Sequence, residues 1–428
     1  MGMFYQLVGS LATIQVSDHK ILEGKVAFLT SYYNPFYNTN LCLMTNAMEI
    51  EKNRISSIDM MRGIVMVIMA LDHVRDFFHN TAFVFEPTDL TKTNEVLFFT
   101  RWITHFCAPT FVFLCGTSIY ISLQRKTKKE LSRFLLTRGL WLIILELTVM
   151  RFAFFFNFYY DVTFLIIIWV IGADMVLMAA LIHLSDRFAL ALGLIIMFGY
   201  SFIGSIPILT GIGFYPITPN FALLESYPIL PWLGIMLLGY SAGKLYSRDF
   251  DAQRRRKILF QLGASAIVLF ILLRFINSYG DTAPWSSQKN MVFNIMSFLN
   301  LTKYPVSLLF ALMALGPVMI VLALLEKGNG TILKAVSVFG RVPLFYFILH
   351  FFLIHAAALI LFMYMTGKSF SEIDLHFSES FGGITPEGGV TLPWVYVAWI
   401  ILVIMLYPIC KVYDRYKSTH KDWWLSYL

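Results

Sequence analysis

Charged residues are scarce in this sequence of 428 amino acids. Asp, Glu, Lys and Arg make up 14% of it, against about 25% in an ordinary soluble domain. Hydrophobic residues make up 58%, and the mean hydropathy is +0.68. Such a chain is too poor in polar residues to cover a globular core with a water-exposed surface. We therefore expect it to be integral to a lipid bilayer.

Cysteine is rare as well. Its four residues show no C-x-x-C spacing, so neither a disulfide framework nor a zinc site is implied, and we expect no metal. Residues 1–50 lack the basic start, apolar core and cleavage site of a signal peptide, and they contain no run long enough to cross a bilayer. We predict a poorly ordered tail there. Whether that tail belongs to the mature protein stays open.

Long apolar runs predict about ten transmembrane helices, and hence an all-α, polytopic membrane protein. They form one domain, residues 54–412, which no internal repeat or linker divides, and a cytoplasmic tail follows at 413–428. The predicted helices cover residues 56–80, 100–123, 131–153, 162–184, 187–207, 227–246, 257–277, 302–325, 342–365 and 391–412.

Basic residues concentrate in every second connection between these helices. Clusters at 125–138 and 244–257, and the carboxyl tail from Lys411, hold most of them. By the positive-inside rule this asymmetry predicts that both termini are cytoplasmic, in a multi-pass protein of the plasma (inner) membrane. The net charge of +7 therefore reflects topology, and we expect no nucleic-acid partner. That the basic loops also grip a phosphate-bearing donor is the less favoured alternative.

The first predicted helix carries polar residues that lipid excludes. Arg62 and His73 lie eleven residues apart, which places them on one stripe with a rise of about 16 Å. Asp72 precedes His73, and Asp76 lies three residues beyond it, within reach of its imidazole. A carboxylate that orients a histidine favours a general base.

Other ionisable groups reach a similar depth in other helices: Glu146, Asp174, His350 and His355, the last two after Arg341. A charge at the bilayer centre costs about 2.5 to 3.5 kcal/mol, so we expect these groups to face one another or a wet cavity. Two alternatives stay open. A membrane histidine can be a neutral packing residue, and Glu146 can pair with an arginine.

Several sequence blocks point to a known family. The segment from Arg54 to Ile64, followed by Asp72-His73, resembles the opening helix of bacterial membrane proteins related to the catalytic domain of heparan-alpha-glucosaminide N-acetyltransferase. Later blocks of that family, in the same order, are similar to residues 104–118, 145–152, 231–240 and 340–355. The similarity covers about residues 54–412. An Arg followed eleven places later by His also resembles the first-helix motif of bacterial membrane O-acyltransferases.

The resemblance implies transfer of an acetyl or other acyl group across the membrane. Acyl-CoA is the donor on the cytoplasmic side, and a sugar amine or hydroxyl is the acceptor on the other side. One departure is visible. The lumenal acetyltransferase branch has Asn at the position matching His73 and its essential histidine in the following loop, whereas residues 81–87 contain none here.

We therefore predict an acyl-CoA-dependent acyltransferase in which His73 is the general base or the acyl carrier. Asp72, Asp76 and Arg62 complete the predicted catalytic group. The predicted substrate path is lined by His79, His105, Glu146, Arg341, His350 and His355. A proton-coupled transporter is the alternative, because midplane carboxylates and histidines also build proton relays. A structural or sensory membrane protein is the third. Acceptor identity, acyl chain and oligomeric state are left open.

Overall fold

The computed structural model describes residues 55–377 and 380–427, and the predicted tail at 1–50 lies outside the described residues. Helices account for 68% of the structure. Five helical segments are long and apolar enough to cross a membrane: Glu95–Leu123, Ala252–Ile276, Leu308–Leu325, Pro343–Thr366 and Leu392–Thr419. The chain is an integral membrane protein of mostly helical fold, as the composition predicted. The compact unit that holds the site comprises Ile55–Arg415 and Asp422–Leu428.

Each of the ten predicted spans overlaps a helix. The α-helices of the described residues are α1 (Ser56–Phe78), α2 (Glu95–Thr104), α3 (Cys107–Leu123), α4 (Lys128–Leu145), α5 (Arg151–Phe155), α6 (Ile167–Leu181), α7 (Asp186–Gly199), α8 (Ile229–Ala242), α9 (Ala252–Ile276), α10 (Met291–Leu299), α11 (Leu308–Leu325), α12 (Thr331–Arg341), α13 (Pro343–Thr366) and α14 (Leu392–Thr419). The short helices α10 and α12 were not predicted, and α14 continues beyond residue 412.

Helix α1 packs against α2, α3, α11, α12 and α13. Its crossing with α12 is close because a glycine faces the backbone of the partner helix from each side. A Cβ atom at Gly63 would lie 2.0 Å from the carbonyl oxygen of Val336, and one at Gly340 would lie 1.9 Å from that of Asp59. Small residues at helix crossings are the usual packing device where lipid supplies no hydrophobic driving force between helices.

A small mixed sheet departs from the all-α prediction. Strand β1 (Val162–Leu165) pairs in parallel with β3 (Phe221–Glu225), which pairs antiparallel with β2 (Gly213–Thr218). The prediction of a helix from residue 162 was wrong at its start, because Val162 and Thr163 are β-branched and find a partner strand 60 residues later in the chain. The helix begins only at Ile167.

The connections divide between the two ends of the bundle. The turns that link α3 to α4 and α8 to α9 contain the basic clusters. The connection after α1, the sheet, the segment before α11 and the connection between α13 and α14 alternate with them along the chain and supply the walls of one cavity. The carboxyl end of α1 therefore points toward this cavity, and its amino end lies toward the basic turns.

Candidate active site

A cavity of about 860 Å³ opens around the last turns of α1. Met69, Asp72, His73 and Asp76 line it from α1, with residues of α2, α3 and α13 beside them. Residues within 82–87, 154–167, 224–227, 303–304 and 377–386 also line it. Met69, Cys107 and Phe111 form its inner end, one turn of α1 below His73. The size is that of an ordinary small-molecule site.

The His73 imidazole is paired with a second histidine. Its Nδ1 atom lies 2.7 Å from Nε2 of His350, a fully buried residue of α13. His350 Nδ1 in turn lies 3.1 Å from the carbonyl oxygen of Tyr346, one turn earlier. The rings of Phe347 and Phe351 pack against His73, with centroids 6.1 and 4.2 Å away.

This chain of contacts assigns the protons. A carbonyl oxygen only accepts, so His350 Nδ1 carries a proton and donates it to Tyr346. In a neutral imidazole the other nitrogen, Nε2, is then the acceptor, so the proton between the two rings belongs to His73 Nδ1. His73 Nε2 has no hydrogen-bond partner within 55–377 and 380–427, so its lone pair stays available on a ring that lines the cavity. That is the form a base or nucleophile needs.

A charged wall lies beside His73. The Asp72 carboxylate accepts hydrogen bonds from Arg101 of α2 and, at 3.0 Å, from Arg75. Arg75 also contacts Asp76 at 2.5 Å. All four residues line the cavity, as does Lys303. Asp76 was predicted to bind the His73 ring. In the structure it pairs with Arg75 instead, because the adjacent guanidinium is the stronger partner for a carboxylate. The His73 imidazole contacts His350.

The opposite wall is aromatic. The rings of Phe154 and Phe351 lie 4.7 Å apart, and those of Phe83 and Phe381 lie 4.4 Å apart. Further phenylalanines extend the same surface: Phe77, Phe85, Phe164, Phe347 and Phe377. His73 is thus bordered by ion pairs on one side and by apolar rings on the other, so the cavity matches a ligand that has a polar and an apolar part.

Two of the predicted arginines lie outside the cavity lining. Arg62 binds Asp59 at 3.3 Å and Ser118 of α3. Arg341, at the end of α12, binds Asp414 of α14 at 2.7 Å. Arg62 shares a helix with His73, but the rise of about 16 Å between them is too long for both to contact one small group.

The buried carboxylates of α4 and α6 do not join the cavity either. The Oε2 atom of Glu146 accepts a hydrogen bond of 3.1 Å from the amide of Trp169, in the first turn of α6. Glu146 thus caps a helix N-terminus, where a carboxylate is favoured. It begins a π-helical turn, Glu146–Met150, between α4 and α5. Asp174 is fully buried in α6, and its oxygens have no hydrogen-bond partner among the described residues. The expected convergence of these groups with His350 does not occur.

The other predicted histidines have structural contacts. His79 ends α1 and binds Thr81 through Nδ1, at 2.7 Å from the hydroxyl. His105 is buried against Phe310, with ring centroids 5.4 Å apart. His355 lies between the carbonyl oxygens of Ala153 and Gly382, at 2.8 and 2.7 Å, so neither of its nitrogens is left for a substrate. Of the predicted residues, the cavity brings together His73, Asp72, Asp76 and, through His73, His350.

The predicted site residues did not include three cations of the cavity: Arg75, Arg101 and Lys303. Arg101 was placed at the outer boundary of a helix from residue 100, whereas the helical segment begins at Glu95 and Arg101 lies in its second turn, against Asp72. Lys303 fell at the start of the predicted helix 302–325, whereas the helix begins at Leu308 and Lys303 lies in the turn before it. The usable signal for Arg101 was the unmatched Asp72, since a buried carboxylate requires a cation. No local pattern marks Lys303.

The helical architecture defines an integral membrane protein, and its cavity is lined by both charged and aromatic side chains. A family model described as "Heparan-alpha-glucosaminide N-acetyltransferase, catalytic" matches residues 54–275, just over half of the chain. The chain belongs to this family of membrane transferases. The match includes His73, Asp72 and Arg101, whereas Lys303 and His350 lie beyond it. No curated protein matches the chain. Across 55–377 and 380–427, no group of three or more His, Cys, Asp or Glu residues is arranged to hold a metal ion.

Proposed function

We propose that this protein transfers an acetyl or other acyl group from cytoplasmic acyl-CoA to a sugar amine or hydroxyl on the outer side of the membrane. The observation that carries the proposal is the His73–His350 pair, which leaves a lone pair at His73 Nε2 within a cavity of ligand size. Membership of an N-acetyltransferase family supports the reaction class.

Acyl transfer from a thioester needs a base for the acceptor and positive charge for the oxyanion, and the cavity offers both. His73 Nε2 accepts the proton of the acceptor amine or hydroxyl as that atom attacks the thioester carbonyl. The carbon–sulfur bond then breaks, and CoA leaves as a thiolate that takes up the proton. A positioned general base contributes about 10²- to 10⁴-fold. The cations of the lining, Arg75, Arg101 and Lys303, supply positive charge for the oxyanion that forms at the carbonyl.

Covalent transfer through His73 is the second route within the same proposal. The acyl group first forms a bond to Nε2 with loss of CoA, and the acceptor then attacks the acyl-imidazole. This route lets donor and acceptor approach from opposite sides in turn. The inner end of the cavity at Met69, Cys107 and Phe111 is where the donor's acyl group would enter from the cytoplasmic half.

The proposal includes a topology of ten spans with both termini in the cytoplasm of a cell bounded by a plasma (inner) membrane. One feature supports it. The basic turns and the cavity loops alternate along the chain, as they must if they lie on opposite sides. The cavity loops are then extracytoplasmic, on the acceptor's side. We propose no metal or bound cofactor besides the donor substrate.

The test is release of CoA from acetyl-CoA by the purified protein in detergent, with glucosamine and neutral sugars as acceptors. We expect His73→Ala to lower kcat at least about 10²-fold, because it removes the base, and His376→Ala, in an exposed loop, to leave it unchanged. CoA should also raise the melting temperature of the wild-type protein by mass action. Full activity of a folded His73→Ala variant would remove His73 from the mechanism. Sugar-coupled proton uptake into liposomes without CoA release would favour the transporter.

A further inference from the structure

Lys303 is a buried cation without a carboxylate partner. The residue is only 8% exposed and lines the cavity. Its Nζ atom lies 4.9 Å from the ring centroid of Tyr304. Among the described residues it takes part in no ion pair within 4.0 Å. Glu86 lines the same cavity but is exposed and does not reach it. Lysine is almost never buried without compensation.

The neighbouring carboxylates are already bonded to other cations, and the Tyr304 side chain, a hydrogen-bond partner of Lys303, brings no formal charge. Asp72 is shared by Arg101 and Arg75, and Asp76 is paired with Arg75. The two carboxylates thus neutralise the two arginines, and Lys303 leaves the charged wall with one excess positive charge. A surplus charge inside a membrane protein is costly, and a bound counter-charge relieves that cost.

The turn that carries Lys303 is held rigidly. The Asp281 carboxylate accepts hydrogen bonds from the Thr302 amide at 3.0 Å, from the Thr302 hydroxyl at 2.8 Å and from the Ser307 hydroxyl at 2.5 Å. Asp281 therefore binds the chain before Lys303, at Thr302, and after it, at Ser307, and so fixes the backbone of the turn. A side chain on an immobilised turn loses less entropy when it binds a ligand, as a built recognition site requires.

We propose that Lys303 binds an anionic group, a carboxylate or a phosphate, on the acceptor. This inference deepens the proposed function and rests on it, since it takes the cavity as the acceptor's site. The anionic group lies on the charged wall, the apolar face of the sugar lies against the phenylalanines, and His73 stands between them. The acceptor is then an acidic or phosphorylated sugar rather than a neutral one.

Matched sugars test this without any variant. The full-length protein is purified in a non-ionic detergent, and its melting temperature is measured against glucuronate, glucose 6-phosphate and glucose at constant ionic strength. We expect one or both anionic sugars to raise the melting temperature and glucose to have no effect at the same concentration. The more effective anion identifies the group, carboxylate or phosphate. Equal responses to glucose and to both anionic sugars would overturn the proposal.

Variants then assign the effect to the residue. Lys303→Gln should weaken the apparent affinity for the anionic sugar at least about tenfold, the usual loss for a charge-assisted contact, and Lys303→Arg should retain it. Lys289→Gln is the matched control: this lysine also lies over an aromatic ring, at 3.6 Å from the Phe293 centroid, but outside the cavity lining. Unchanged affinity in a folded Lys303→Gln variant would refute the assignment. Because these experiments measure binding, they test the anion site of Lys303 separately from the proposed acyl transfer.

Discussion

The tautomer assigned to His73 depends on His350, so replacing His350 tests the central step of the reasoning. In His350→Phe the Nδ1–H of His73 loses its acceptor inside a packed wall. Leaving such a donor unpaired costs about 1 to 3 kcal/mol. The alternative tautomer, with the proton on Nε2, avoids this cost but has no lone pair at Nε2 and cannot act as the base. At 1.36 kcal/mol per factor of ten, the expected decrease in kcat is roughly 5- to 150-fold.

The matched variant is His350→Gln, whose amide oxygen accepts a hydrogen bond where the imidazole did. We expect it to keep most of the activity. KM for acyl-CoA and for the acceptor should change little in both variants, because His350 is fully buried behind His73. The assay is steady-state CoA release, with the melting temperature as a check of folding. Wild-type kcat in a folded His350→Phe variant, or equal losses in Phe and Gln variants, would refute the assignment.

Three further changes probe the structure around the site. Arg101→Leu should destabilise the protein by about 3 kcal/mol. This is the lower end for a broken buried ion pair, because Arg75 still contacts the Asp72 carboxylate. In denaturant titrations the double variant Arg101→Leu/Asp72→Asn should recover part of the lost stability, and equal losses in the single and double variants would argue against the pairing. Gly340→Ala should cost about 1 to 3 kcal/mol because its methyl group meets a carbonyl oxygen at 1.9 Å. Gly199→Ala, at the end of α7 and in open space, should not lower the melting temperature. Burial raises the pKa of Glu225, in strand β3, from 4.5 to about 7, so its contribution to stability is complete below pH 4.5 and is lost as the pH rises through 7. The melting temperature should therefore fall between pH 5 and 8 by more than in Glu225→Gln, and parallel curves for the two proteins would contradict this.

The helices and the centre of the site could be predicted because they follow from local pattern. Apolar runs of span length, broken by charge, predict helices in a bilayer, and the polar residues on an otherwise apolar α1 single out Asp72 and His73. The pairing of His73 with His350 could not be predicted. Both were predicted at midplane depth, but so were Glu146 and His355, and predicted depth alone does not say which of these side chains meet.

What the sequence could not supply was the identity of partners across long separations. Arg101 and Asp72 are 29 residues apart, and Lys303 joins them from a turn more than 200 residues further along. The β-branched residues at Val162 form a strand only because Ala222 and its neighbours pair with them, 60 residues later in the chain. Such choices depend on how helices pack, which side-chain volume determines and hydropathy does not.

Helix α1 carries Arg62 near the basic turns and His73 in the cavity on one continuous rod of 23 residues. The close crossing of α1 with α12 leaves no space beside Gly63, which lies about 15 Å from His73 along the same helix. The packing at that crossing therefore sets where the His73 ring stands opposite His350, at 2.7 Å. A bulkier residue at the crossing displaces the far end of the rod as well as its own surroundings.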